Sequence, residues 1–226
     1  MATYCTAAEL RTQIEKTGTT GADSDVALAI IIEAASRTID RHCNRPDGFV
    51  ALSVAAARVY AGQGKPYLLI DECTEITLVA VKDSSTDTTY TSWAATDWIK
   101  ARGDPEDPDF NSTPYNLLLV LPTGNYSVFM NGQFTGKRGF PPETETPFMI
   151  PTVQVTAKWG YATTVPGQIK QATIALAARW WKQGKGAWAD TLASPELGQL
   201  IYRKENVDIR MMLVESRFVK PAIGRR

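Results

Sequence analysis

The pattern between residues 50 and 158 constrains the fold of this chain most. Short runs rich in Val, Thr, Tyr and Trp alternate there with turn sequences such as Gly103-Asp104-Pro105 and Pro122-Thr123-Gly124. Runs of this kind, bounded by Gly, Pro and Asp, are typical of strands in an antiparallel sheet. We therefore expect a β-rich module with strands over 54–61, 66–71, 74–82, 89–93, 97–100, 116–121, 126–130 and 152–159.

Helical patterns flank this β-rich module on both sides. The sequence Thr6-Ala7-Ala8-Glu9 has the form of a capping box, in which a hydroxyl and a carboxylate satisfy N–H groups of the first helical turn. Residues 26–43 and 166–183 each place apolar side chains three or four positions apart, which predicts two amphipathic helices. A further helix is expected over 195–204.

This order of elements predicts an α+β fold, a helical-bundle base with a large antiparallel β-module inserted into it. We expect residues 1–49 and 159–206 to form the base and residues 50–158 to form the inserted module. Residues 207–226 are expected to be a separate C-terminal tail.

The helix over 166–183 carries two apolar stripes, which predict two packing partners. Small side chains on the same helix allow another helix to approach closely. Both stripes can belong to the core of one chain, or one of them can pack against a second copy. The residues expected to form this packing surface or interface are Ile169, Ala172, Leu176, Trp180 and Trp181.

The net charge of zero excludes a global electrostatic attraction to nucleic acid or to an anionic membrane. Residues 165–226, however, contain eleven Lys and Arg against five Asp and Glu, a net charge of +6. The basic end could therefore dock on a phosphate backbone or an acidic protein surface, and a solvated terminus is the alternative. The candidate docking residues are Arg210, Arg217, Phe218, Lys220, Arg225 and Arg226.

Features that would signal export, a membrane span or a disulfide framework are not found. The first residues lack a basic stretch followed by an apolar run, and no window approaches the roughly 18 apolar residues of a spanning helix. The three cysteines, Cys5, Cys43 and Cys73, form no CxxC pair. We expect them to be buried, reduced thiols in a cytoplasmic environment.

Motifs for catalysis or metal binding are also not found. His42 and Cys43 are neighbours in a predicted helix, so their side chains point about 100° apart and cannot act as a pair. Neither a Gly-x-Ser-x-Gly elbow nor a Walker A loop occurs. The acidic run Asp104–Asp109 lacks the glycine of an EF-hand loop, and its prolines interrupt the ligand spacing. We expect no enzymatic activity, no cofactor and no metal site.

Two short sequences carry a family resemblance. The first is Ser36-Arg37-Thr38-Ile39-Asp40 in the N-terminal helix, and the second is Trp159-Gly160-Tyr161 followed by Val165-Pro166 at the start of the later helix. Together with the order helix, β-module, helix, they resemble the head-tail connector proteins of tailed double-stranded DNA bacteriophages, also called adaptor or head-completion proteins. The resemblance covers roughly residues 4–49 and 152–183.

The resemblance implies a structural virion protein assembled in the host cytoplasm. Copies of the chain, about twelve in that family, would form a ring beneath the portal at the capsid vertex. Double-stranded DNA would pass through the ring without sequence-specific contacts, and tail or head-completion proteins would bind its far face. A C-terminal extension often grips the portal in that family, which assigns this role to residues 207–226.

The alternative function is binding of carbohydrate or a host surface by the β-module. Aromatic side chains that could form a stacking platform are Tyr90, Trp93, Trp98 and Tyr115. Aromatic residues in strands more often belong to a core. Their exposure in the folded protein separates the two interpretations.

Overall fold

The chain has an α+β fold in its computed structural model, which describes residues 2–15, 25–137, 145–185, 191–194, 198–201, 207–215 and 218–220. Its helices are α1 (Ala7–Glu15), α2 (Asp25–His42), α3 (Gly167–Lys185) and α4 (Val207–Glu215). Its strands are β1 (Ala56–Tyr60), β2 (Tyr67–Val81), β3 (Thr91–Ser92), β4 (Trp98–Asp104), β5 (Asp107–Asp109), β6 (Tyr115–Val120), β7 (Gln133–Lys137), β8 (Glu145–Met149), β9 (Val153–Trp159), β10 (Thr191–Ser194) and β11 (Gly198–Ile201).

The chain forms two compact units. Residues 1–49 and 164–226 make up a unit that contains all four helices, here called the helical unit. Residues 50–163 make up the β unit. The helical unit is therefore built from both ends of the sequence, and its two halves are separated by the whole β unit.

Helix α3 is the central element of the helical unit, because it contacts α1, α2 and α4. Apolar side chains of all four helices are buried in this unit, among them Leu10, Ile14, Leu28, Ile32, Ile39, Ile169, Ala172 and Leu213. The strands β10 and β11 form a small antiparallel hairpin of their own.

The capping box predicted at the start of α1 is confirmed. The Glu9 N–H donates to the Thr6 hydroxyl at 3.3 Å, and the Thr6 N–H donates to the Glu9 carboxylate at 3.0 Å. Glu9 also forms an ion pair with Lys170 of α3. Hydrogen bonds from Lys170 and from the Thr6 backbone lower the pKa of Glu9. One exposed carboxylate thus fixes the helix start and links α1 to α3.

We expect the substitution Thr6→Ala to lower the free energy of unfolding by about 1 kcal/mol, because it leaves the Glu9 N–H without its hydroxyl acceptor. Urea denaturation followed by circular dichroism measures this change. The matched control is Thr12→Ala, an exposed position where the hydroxyl bonds back to the Ala8 carbonyl within the helix. Thr12→Ala is expected to be neutral or slightly stabilising. Equal losses at both positions would contradict a capping role.

The β unit is organised around a seven-stranded antiparallel sheet with the order β1-β9-β2-β6-β4-β5, in which β3 also pairs with β2. The strand β9 alternates strictly, with Val153, Val155, Ala157 and Trp159 buried. These side chains pack with the apolar face of β2 and with the Trp93 and Phe129 rings in one core. The strands β7 and β8 form a separate two-stranded sheet.

Two predicted strands, 66–71 and 74–82, are one continuous strand, β2. Cys73 pairs with Tyr115 of β6 on one side and with Trp159 of β9 on the other. The strand therefore continues past the polar residues Asp71 and Glu72, and its register with β6 shifts between Leu69 and Cys73. The Asp71 carboxylate accepts a hydrogen bond from Arg58 at 2.8 Å, so it remains paired at the surface.

Two further predictions of secondary structure were wrong. Residues 126–130 are not a strand; there the Tyr126 ring stacks on Trp93 at 4.2 Å between centroids and the Phe129 N–H donates to the Lys65 carbonyl. Within the predicted helix over 195–204, the described residues Gly198–Ile201 form a strand that pairs with Thr191–Ser194, and the other residues of that range lie outside the described part of the chain. Local apolar spacing cannot reveal such pairings.

The three cysteines are free and buried, as predicted. Burial raises the pKa of Cys5 and Cys43 to about 11 and that of Cys73 to about 12. Since the thiolate is the reactive form, buried thiols with raised pKa values are chemically inert.

We expect all three thiols of the folded protein to react with a disulfide reagent such as DTNB at least about 100-fold more slowly than model thiols at pH 8. Because their pKa values are raised, the folded protein favours the neutral form of each thiol, and this contributes to the free energy of unfolding. The contribution is present at neutral pH and is lost as the pH rises towards these pKa values. Protein unfolded in guanidinium chloride serves as the control and should release three equivalents. Rapid labelling of one thiol in the folded protein would contradict the burial.

Among the residues that the structure describes, no helix is both long and apolar enough to cross a membrane.

Candidate interaction surface

The Ser36–Asp40 sequence of α2 holds the N-terminal segment of the chain in place. The Tyr4 hydroxyl donates to the Asp40 carboxylate and accepts the Phe49 N–H at 2.9 Å. The Tyr4 N–H donates to the Ser36 hydroxyl at 3.3 Å. Ile39, between these polar residues in sequence, lies in the core. The residues that carry the family resemblance on α2 thus form a structural network.

Asp40 is a buried carboxylate that two neighbours stabilise. Its second oxygen lies 2.9 Å from a guanidinium nitrogen of Arg37, and the residue is 4% exposed. Burial raises the pKa of Asp40, while the Tyr4 hydrogen bond and the Arg37 charge oppose that shift. Burial and the bond to Asp40 raise the pKa of Tyr4 well above its usual value. Tyr4 therefore keeps its proton and remains the donor at neutral pH.

The turn after α2 requires a glycine. Gly48 has a φ of 79°, and a side chain at this position would place its Cβ 2.7 Å from the Tyr4 hydroxyl oxygen. The Arg45 N–H donates to the Asp40 carbonyl at 2.8 Å, which ends the helix just before this turn. After the turn, the Phe49 ring lies under the Arg45 guanidinium, with 5.1 Å between the guanidinium carbon and the ring centroid.

The C-terminal segment is anchored at this turn. The Arg45 Nε donates to the Phe218 carbonyl at 2.9 Å, and the Lys220 N–H donates to the Cys43 carbonyl at 3.1 Å. The Phe218 ring lies edge-on to Phe49 with 5.6 Å between centroids. Phe218 is 5% exposed and belongs to the core of the helical unit. This corrects the expectation that its side chain is available for docking to a partner.

The other candidate docking residues of the C-terminal segment differ in exposure. Arg210 on α4 is exposed, and Lys220 is half-buried. Arg217, Arg225 and Arg226 lie outside the described residues. Of the described candidates, Arg210 is therefore the most accessible to another protein.

A surface pocket of about 380 Å³ lies at the C-terminal end of α2 and is here called the arginine pocket. It is lined by Arg37, Asp40, Arg41, Asn44, Arg45 and Pro46. Three guanidinium groups and one carboxylate give this wall a net positive charge. Sequence reasoning missed the pocket, although the spacing of Arg37 and Arg41, four residues apart on α2, was a usable signal.

The expected packing surface of α3 is mostly covered within the chain. Ile169 and Ala172 are fully buried, and Leu176 is 7% exposed. Trp180 and Trp181 near the end of the helix are half-buried. The first three residues therefore serve the core of the helical unit and are not accessible to a second copy.

Helices α2 and α4 instead expose large apolar side chains. Val26 and Ile30, one turn apart on α2, are 75% and 63% exposed and are here called the α2 apolar strip. On α4, Met211 and Val214 are also more than half exposed. Exposed apolar residues grouped on a helix commonly mark a contact with another protein.

The Trp159-Gly160-Tyr161 corner stabilises the β unit. Trp159 is 1% exposed, and its indole N–H donates to the Ala56 carbonyl at 2.7 Å. Gly160 has a φ of 141°, and its N–H donates to the Glu72 carbonyl at 2.8 Å. Tyr161 is half-buried. The corner is thus a tightly packed strand end and leaves little aromatic surface for a ligand.

Val165 and Pro166 lead into α3 and are both half-buried. The Pro166 carbonyl accepts the Lys170 N–H at 3.0 Å, while the helix itself begins at Gly167. Pro166 therefore occupies the N-cap position, and the helix begins one residue later than the start at residue 166 predicted from the sequence.

The four aromatic residues considered for carbohydrate binding do not form an exposed platform. Trp93 is 6% exposed and stacks between Tyr126 and Phe129. Trp98 and Tyr115 pack against the same core, and the Tyr90 hydroxyl donates to the Pro151 carbonyl at 3.3 Å. These contacts favour a structural role for all four.

The acidic run Asp104–Asp109 forms the β4–β5 hairpin, in which Asp104 faces Asp107. Its four acidic side chains are exposed. Within the described part of the chain, no group of three or more His, Cys, Asp or Glu side chains is arranged to hold a metal ion. We call this segment the acidic hairpin.

Comparison of the chain with protein-family models and with curated proteins finds no match in either case.

Proposed function

We propose that this chain is a non-enzymatic subunit of a ring at the head-tail junction of a tailed double-stranded DNA bacteriophage. In this proposal the ring docks beneath the portal, binds tail or head-completion proteins, and lets DNA pass without sequence-specific contacts. The proposal starts from the resemblance of the Ser36–Asp40 and Trp159–Pro166 sequences to head-tail connector proteins. The observation that carries it is the exposed α2 apolar strip.

The α2 apolar strip supports self-association for a physical reason. The opposite face of α2 already packs in the core through Leu28, Ile32 and Ile39, so Val26 and Ile30 are not needed for folding of the helical unit. Burying one such side chain against another subunit stabilises the contact by roughly 1.5–3 kcal/mol. In a closed ring every subunit repeats this gain, so modest individual contacts suffice.

The anchoring of Phe218 alters how the C-terminal segment would serve the ring. Because residues 218–220 are bound to the end of α2, this part of the segment acts as an element of the helical unit. In this proposal the exposed side of α4 contacts the portal. It presents Arg210, Met211 and Val214. This surface combines one cation with two apolar side chains, a composition suited to a protein partner.

Negative-stain electron microscopy tests the proposal. The chain is mixed with the portal protein of the same genome, and rings that match the portal symmetry are expected. The substitution Val26→Asp should reduce ring formation strongly. The matched control is Val54→Asp, since Val54 is equally exposed at 74% but lies in the β unit.

Two outcomes would count against the proposal. One is mass spectrometry of purified virions that detects the capsid and portal but not this chain. The other is ring formation by the Val26→Asp variant at the level of the wild-type chain. This result would show that the α2 apolar strip does not support the proposal.

A further inference from the structure

We propose that the arginine pocket of one copy receives a carboxylate from the acidic hairpin of a second copy of this chain. The inference rests on the proposed function in one respect, namely that copies of the chain associate. It adds the two surfaces that meet and the chemistry that joins them, a guanidinium–carboxylate contact.

Two of the three arginines in the pocket are held in place before any partner arrives. Arg45 is 4% exposed, donates to the Phe218 carbonyl, and lies over the Phe49 ring at 5.1 Å. Arg37 pairs with Asp40 and lies over the Tyr4 ring at 5.7 Å. Fixed guanidinium groups lose little conformational entropy on binding, which favours recognition of an oxyanion.

Arg41 is the exposed member of the three arginines in the pocket. No ion pair to its side chain is present among the residues that the structure describes. Arg41 therefore offers a guanidinium group to an incoming anion, with the two-pronged geometry that carboxylates match.

The small volume of the pocket favours a protein side chain over duplex DNA. Arg45 contributes to the wall but has almost no exposed surface, so a rigid duplex outside the pocket cannot reach it. DNA backbones are instead bound by cations that project from the surface. A single Asp or Glu side chain is narrow enough to enter a volume of about 380 Å³.

The acidic hairpin has the complementary charge. Asp104 and Asp109 accept N–H groups of the hairpin itself, from Glu106 at 3.3 Å and Asn111 at 2.9 Å. Glu106 and Asp107 are exposed at the tip, and within the described residues neither takes part in an ion pair. The turn thus presents two exposed carboxylates, and it belongs to the most concentrated acidic sequence of the chain.

A contact between two different surfaces of the same chain is heterologous. Such a head-to-tail contact can repeat from copy to copy, and it produces a ring when the rotation closes. The α2 apolar strip would supply the apolar part of the association, and the arginine pocket would supply orientation and selectivity.

Disulfide trapping tests which surfaces meet. An Arg41→Cys variant is mixed with an Asp107→Cys variant under mild oxidation, with and without the portal protein. A disulfide-linked dimer containing both variants is expected on a non-reducing gel, because the three native thiols are buried. The control replaces Arg41→Cys by Glu33→Cys, which is exposed elsewhere on α2. A yield no higher than that of the control would overturn the inference.

Charge reversal provides an independent test. Arg41→Glu and Asp107→Arg should each weaken association about tenfold in sedimentation velocity experiments, and mixing the two variants should restore it. Wild-type rings from Arg41→Glu on the portal would overturn the pocket contact and leave the proposed function intact. Trapped dimers from a chain that virions lack would instead overturn only the proposed function.

Discussion

The substitution Gly160→Ala is expected to destabilise the protein by about 3 kcal/mol or more. At a φ of 141° an L side chain is strained, and the new Cβ would lie 2.4 Å from the Ala51 Cα and 2.7 Å from its nitrogen. The neighbouring atoms are backbone and cannot move aside as a flexible side chain would. Thermal unfolding should shift downwards by roughly 6–12 °C.

The control for this prediction is Gly167→Ala at the start of α3. A Cβ at this position meets no atom within 4 Å, and the residue lies in a helix, where alanine is preferred. We expect its free energy of unfolding to stay unchanged or to rise by up to about 1 kcal/mol. Tolerance of Gly160→Ala would show that the corner is not the fixed strand end described above.

The second large effect is expected from Phe218→Ala, at about 3–5 kcal/mol. The ring is 5% exposed and packs edge-on against Phe49, so its removal leaves a cavity at the end of α2. Chemical denaturation followed by far-UV circular dichroism measures the loss in the helical unit. The control is Met211→Ala on α4, where the side chain is 52% exposed and the expected change is within about 0.5 kcal/mol.

This result would also change how a truncation experiment is interpreted. Deleting residues 207–226 removes the buried side chains of Leu213 and Phe218 together with the acceptor of Arg45. Loss of capsid attachment by such a truncation would therefore reflect unfolding of the helical unit as much as loss of a docking surface. Arg210→Glu, an exposed substitution, tests docking without this complication. If the Phe218→Ala variant were as stable as the wild-type chain, the C-terminal segment could be treated as a tail whose deletion leaves the helical unit folded.

The local features of the helical unit were predictable from the sequence. Apolar spacing identified α2 and α3, and the Thr6–Glu9 pattern identified the start of α1, because each depends on interactions within a few residues. The α+β class followed from the same local patterns. The burial of the three cysteines was also predictable from their number and spacing.

The pairing of distant segments was not predictable from local pattern. That β9 lies between β1 and β2 depends on contacts between residues far apart in sequence, such as Ala56 with Ala157. The anchoring of Phe218 on Arg45 was missed for the same reason. A C-terminal sequence of basic and apolar residues has the same pattern whether the segment is free or bound to the rest of the chain. The arginine pocket was missed because it needs the chain to turn at Asn44, which has a φ of 54°, as well as the helical spacing.

The place of β9 between β1 and β2 bears on the order of events during synthesis. The strands β1 and β2 pair with β9 and are joined through it. They therefore cannot be joined until the ribosome has added the roughly one hundred residues that separate β1 from β9. The helical unit is completed even later in synthesis, because α3 and α4 follow β9 in the chain. Neither unit can reach its final structure on an early nascent chain, so strand edges and apolar helix faces stay uncovered until late in translation, the period in which chaperones would protect them.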